Sequence, residues 1–183
     1  VEGRLGTLFP AFMDPVRTFG ETGFVHALAR EDGAETYTWE PPVEVVIRSG
    51  LAQGFSPEQL SLRWSLNPYF SNLRHGRPDD PEAFVRDTLA ERSRTPGLAG
   101  GFADLAALEA AWARHFPEGP DWRDVSDQYG LPGFLGEMDL NRPRDEHFVA
   151  CVTELVRAGE RVFAICGSSH AVKIEPALRA ILE

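Results

Sequence analysis

Of the five histidines in the chain, His170 stands where a local pattern could put an imidazole to chemical use. Arg161 to Cys166 is a short apolar run that reads as a buried strand, and Gly167-Ser168-Ser169 then breaks it. Val172, Ile174, Leu178, Ile181 and Leu182 follow at roughly helical spacing, so Ala171 to Leu182 reads as a helix. A strand, turn, helix unit of this kind delivers His170 to the carboxyl end of a strand, where open α/β sheets gather ligands and catalytic groups. A neutral imidazole placed there can take a proton from water or ligate a divalent metal. The plainer reading makes His170 a partly exposed polar residue capping the next helix.

Other candidates are marked by residues that break a local rule. Arg142 and Arg144 open a helix over Asn141 to Ala158, where positive charge opposes the helix dipole. Such violations concentrate at functional sites, although an ion pair with Asp145, Glu146 or another segment accounts for them equally well. Glu40 closes a short strand candidate, Thr36 to Trp39, just before Pro41-Pro42. Gly119 to Gly136 is long and irregular, which makes Asp121, Asp124 and Tyr129 candidates for a substrate wall or, in the plainer reading, parts of an exposed connection. His75 reads as a solvated loop residue and His115 as a structural residue in the last turn of its helix. Cys151 and Cys166 lack metal-ligand spacing and read as core packing in a reducing compartment.

The elements that must position these groups are mostly helical. Amphipathic patterns run over Thr18 to Arg30 (Phe19, Phe24, Val25, Leu28 and Ala29), Pro42 to Gln53, and Ser56 to Leu73. Further helices are expected over Asp80 to Arg92 and Phe102 to Phe116, with exposed or Pro/Gly-rich breaks at Asn72 to Pro81 and Thr95 to Gly101. Asn141 to Ala158 carries the clearest stripe, Phe148, Cys151, Val152, Leu155 and Val156, with Asn141 able to cap and Gly159 ending it.

With 183 residues, 43% hydrophobic and 25% charged, the chain has the size and composition of one globular domain. Its net charge of -10 disfavours nucleic acid or an anionic membrane as partner, since both need a basic surface. The apolar runs fall far short of the roughly 20 residues that span a bilayer, so a soluble, cytoplasmic protein is expected. Val1 in place of Met reads as the cut end of something longer.

Asn141-Arg-Pro-Arg-Asp-Glu-His-Phe-Val, a long helix, and Arg161-Val-Phe-Ala-Ile-Cys-Gly-Ser-Ser-His together resemble the C-terminal half of the erythromycin esterase-like/ChaN-like superfamily, which includes the TraB/GumN and TIKI groups. Val1-Glu2-Gly3, Phe19-Gly-Glu-Thr-Gly-Phe and Trp39-Glu40-Pro41 are similar to its acidic strand ends and a further helix. The resemblance covers about residues 1 to 48 and 139 to 183. It implies an α/β fold, a parallel or mixed sheet core of few strands with many covering helices, in a single domain over 1–183 with a helical and loop insertion at 72–136 and a strand-helix segment missing upstream. It also implies a pocket holding Glu2, Glu40, Arg144 and His170 as catalytic groups, with Tyr129, Asp145 and Ser169 as substrate contacts. The family's N-terminal glutamate-histidine motif has no counterpart in this chain.

The implied activity is hydrolysis of a small molecule or peptide, of the esterase or peptidase type. His170 would activate water beside Glu2 and Glu40, and Arg144 would meet the oxyanion. Mn²⁺, Co²⁺ or Zn²⁺ held by His170, Glu2 and Glu40 is an optional aid. Haem binding without catalysis, as the ChaN-like members suggest, with a histidine or Tyr129 as iron ligand, stays open beside it. A regulatory domain that has lost its chemistry is the third reading.

Overall fold

The computed structural model describes residues 14–95, 98, 101–125 and 130–182. Eight α-helices run through them: α1 (Pro15–Glu31), α2 (Val43–Ala52), α3 (Pro57–Asn72), α4 (Pro81–Arg92), α5 (Leu105–His115), α6 (Phe134–Glu137), α7 (Arg142–Arg157) and α8 (Ser168–Leu182). Short 3-10 turns occur at Leu73–His75 and Trp122–Asp124. The helices begin where local chemistry says they should. Asp14, Asp80 and Asp104 accept backbone N–H groups of the first turns of α1, α4 and α5. Ser56 and Gln59 form a reciprocal capping box at the start of α3, with Pro57 in the first helical turn.

The expected α/β architecture is not found: the described residues contain no strand and no sheet. Both internal strand candidates, Thr36 to Trp39 and Arg161 to Cys166, lie in irregular backbone. A strand persists only when its N–H and C=O groups find a ladder and its apolar side chains a covering face. Arg161 to Cys166 has neither among the described residues. The Ile165 carbonyl instead accepts the Trp39 indole N–H at 3.0 Å, and Phe163, expected inside, is 78% exposed. The strand end expected at Val1-Glu2-Gly3 lies outside the described residues.

The chain divides into two compact units, Pro42–Leu140 and the sequence on either side of it, up to Pro41 and from Asn141 onward. The first of these holds both hydrophobic clusters of the described residues. In the larger cluster α3, α4 and α5 enclose Leu62, Leu66, Tyr69, Phe70, Val85, Leu108 and Trp112, with Trp122 and Leu135 closing it. The smaller gathers Ile47, Leu60, Leu98 and Met138. A polar clamp fastens the same unit: Arg123 lies over the Trp122 ring and bonds Glu82, Glu109 and Asp121. Burial opposes its charge, and the hydrogen bonds to Glu109, Asp121 and Glu82 more than offset that, holding its proton more firmly than usual.

The flanking unit is built from α1, α7 and α8. Phe148 and Cys151 of α7 and Ile174 of α8 are buried where these two helices pack. Of the stripe expected on α1, the members whose burial is described form no buried face: Phe24 is 51% exposed and Leu28 is exposed as well. Among the α1 side chains whose burial is described, His26 goes inside.

Candidate functional site

Four of the residues singled out by type and spacing meet in the flanking unit, around an indole that the sequence did not single out. Glu40 and Arg144, 104 positions apart, form a bidentate pair. Arg144 Nε donates to Glu40 Oε2 at 2.8 Å, and its Nη2 donates to Oε1. Nη1 of the same guanidinium donates to Asn141 Oδ1 at 2.9 Å. Asn141 therefore contributes its side chain to Arg144 and makes no side-chain cap to α7, contrary to expectation. The hydrogen bonds to Glu40 raise the Arg144 pKa, against the opposing effect of burial. An arginine that defies the dipole at a helix start is thus accounted for by a carboxylate from a distant segment, and Arg142 by Glu146 one turn on, at 3.9 Å.

Trp39 joins this pair to the histidine. The Arg144 guanidinium lies 5.3 Å from the Trp39 ring centroid. The other contacts of that ring are edge-on, to Phe148 at 5.1 Å and to His170 at 5.3 Å. The bond from its N–H to Ile165 O fixes the indole plane.

His170 occupies the first turn of α8, where its backbone N–H bonds Gly167 O at 3.0 Å, rather than the end of a strand. Its Nδ1 lies 2.5 Å from Asp145 Oδ1, and the two side chains are only 12% and 13% exposed. An ionised carboxylate only accepts, so Asp145 selects the tautomer with the proton on Nδ1 and leaves the Nε2 lone pair free. Among the described residues Nε2 has no hydrogen-bond partner, and it is not one of the buried polar atoms left without one. Asp145 also borders an open cavity of about 320 Å³ between α7 and α8, whose apolar surface comes from Val149, Ile174 and Ala177 and whose charged rim comes from Glu146 and Lys173.

Several expectations take a different form. Asp145, expected to touch substrate, is the orienting partner of His170. Glu40, expected to stand beside His170 and orient the water or share a metal, bonds Arg144 through both oxygens. Ser169 is exposed in the first turn of α8 and makes no side-chain bond to the dyad. Asp121 and Asp124 belong to the other unit, where they pair with Arg123 and Arg77. Glu2 and Tyr129 lie outside the described residues. Burial pushes both cysteine thiols up, Cys151 and Cys166 alike, which suits packing and not nucleophilic attack.

A resident divalent metal does not fit the donors that are described. No group of three or more His, Cys, Asp or Glu side chains among the described residues could hold one, and Glu40 has no free oxygen to offer. Trp39 and Phe148 are the site residues that sequence reasoning missed. Their signal was available: Trp39 directly precedes Glu40, and Phe148 lies on the same helix as Arg144, one turn beyond it.

Comparison with family models, with curated proteins and with solved structures finds no match for this chain. Among the described residues no helix is long and apolar enough to cross a membrane.

Proposed function

We propose that the chain is a hydrolase of the esterase or peptidase type, with His170 as the general base and Asp145 as the residue that orients it. The observation that carries this reading is the Asp145–His170 contact at 2.5 Å with Nε2 left open. In the reaction, Nε2 removes a proton from water as the oxygen attacks an acyl carbonyl. The Asp145 carboxylate stabilises the resulting imidazolium, which then returns the proton to the leaving oxygen or nitrogen. The role first given to Arg144, meeting the oxyanion, is replaced in this reading by a positioning one: its fork is committed to Glu40, and it backs Trp39 against the imidazole.

Haem binding is the second reading, favoured by the same free Nε2, since a carboxylate on Nδ1 also orients an axial ligand.

Hydrolysis of p-nitrophenyl acetate and butyrate and of an amide analogue, followed in the wild-type chain and in His170→Ala and Asp145→Asn, tests the two together. The hydrolase reading expects turnover that His170→Ala lowers by about 10²-fold or more, with Asp145→Asn reducing kcat more than it changes KM. Turnover that survives His170→Ala sinks it. A Soret band on haem titration that disappears in His170→Ala, without turnover, transfers the site to the second reading.

A further inference from the structure

Other arginines of the packed core between Pro42 and Leu140 lie against carboxylates, the half-buried Arg123 against three of them. Arg123 has Glu82, Glu109 and Asp121, and Arg114 has Glu58. Arg63, on α3, is treated differently. Its Nε is shut off from water and bonds nothing. Its one hydrogen bond is from Nη1 to Asn67 Oδ1, one turn further along the same helix. No carboxylate among the described residues comes within ion-pair distance of it. Burial alone pushes its pKa down to about 10. The residue is half-buried overall, so the desolvated part is the inner edge of the head, while Nη2 remains open to the outside.

The pair presents donors only. A guanidinium has no acceptor, so Asn67 must turn Oδ1 towards it, and the amide Nδ2 is then the polar group left for another partner. Among the described residues neither Arg63 Nη2 nor Asn67 Nδ2 has a protein acceptor, and both belong to one hydrogen-bonded pair on one turn of α3. A desolvated cation without a counter-charge is costly, and an anion at the open Nη2 lowers that cost by supplying the counter-charge.

We infer that Arg63 and Asn67 form a binding site for a small oxyanion, phosphate or carboxylate, within the Pro42–Leu140 unit. Nη2 is the guanidinium nitrogen left open, and its N–H groups can bond an oxygen of either anion. The site is independent of the His170 dyad and stands whether or not the chain is a hydrolase.

Thermal unfolding of the whole chain in inorganic phosphate, against sodium chloride of equal ionic strength, tests it. With a dissociation constant of about 1 mM, about 10 mM phosphate raises the Tm of the wild-type chain by about 3–6 °C over chloride. Arg63→Met, which keeps the volume and removes the charge, abolishes that difference and is as stable as wild type in chloride. Asn67→Ala, which keeps the guanidinium, reduces the difference. Acetate in place of phosphate separates the two sources: an equal response marks a carboxylate site, and a weaker one a phosphate site. Broadening of the phosphorus resonance of phosphate by wild type but not by the variants reads the same binding without unfolding. A wild-type chain that responds identically to phosphate and chloride, or an Arg63→Met chain that keeps the full phosphate response, overturns the inference.

Discussion

Asp145 and Glu40 are both carboxylates of the site, and the group each faces decides what each can do. Asp145 faces an imidazole that can be neutral, so it sets a tautomer. Glu40 faces a guanidinium that stays charged, so it forms a lasting ion pair. Glu40→Gln is therefore expected to act on stability before chemistry. It leaves Arg144 with a neutral partner in a half-buried position and costs about 1 kcal/mol, a figure held down by the solvent exposure of the pair. A lowered urea midpoint with unchanged slope checks it. Arg144→Lys keeps the charge but loses the fork, and should recover only part of the loss. A wild-type midpoint in Glu40→Gln would show that the pair contributes nothing.

The helices are positioned by small features at their ends and contacts. Gly50 sits on α2 where it meets α3, and a Cβ there would stand 2.3 Å from a methyl of Leu60, which is fully buried. Gly50→Ala thus trades a favourable helix propensity for an overpacked contact, and the contact wins because Leu60 has nowhere to turn. A net destabilisation of about 1–2 kcal/mol is expected by chemical denaturation. Ser56→Ala removes the side-chain half of the capping box on α3 and should cost about 1 kcal/mol by the same measurement. Both changes lie in the Pro42–Leu140 unit and leave the Asp145–His170 contact untouched, so hydrolytic activity per folded molecule should not change.

For the whole molecule, acid stability should fall in two stages that report on the two units separately. Burial, helped by Arg30, lowers the His26 pKa from its ordinary 6.5. The unfolded chain then binds that proton more readily than the folded one, so stability is full above pH 6.5 and falls as pH drops below it. Glu58 is lowered from 4.5 chiefly by its bond to Arg114, with His115 assisting. Its contribution is present above pH 4.5 and is lost as pH falls below that value. Unfolding free energy measured from pH 8 to 3 should show both declines. His26→Phe should remove the first and Glu58→Gln the second, each leaving the other in place. One decline that neither variant moves would contradict both assignments.

Within the described residues, what the sequence alone determined was the helices, and the reason is locality. The Asp and Ser caps, the first-turn prolines and the apolar spacing of α3, α5 and α7 act within a few residues of each other. The histidine and the arginine were legible as candidates because each broke a local pattern, and Glu40 because it closes a strand candidate before two prolines. Asp145 was read as a substrate contact because nothing in its neighbourhood announces a partner 25 positions away. The expectation of a sheet failed for a related reason: Arg161 to Cys166 has strand-like residues, but a strand also needs a neighbour, and pairing is decided by chain segments far apart. Only the tertiary structure could show that Ile165 gives its carbonyl to an indole 126 residues away, and that the same indole separates a fixed ion pair from an imidazole with a free nitrogen.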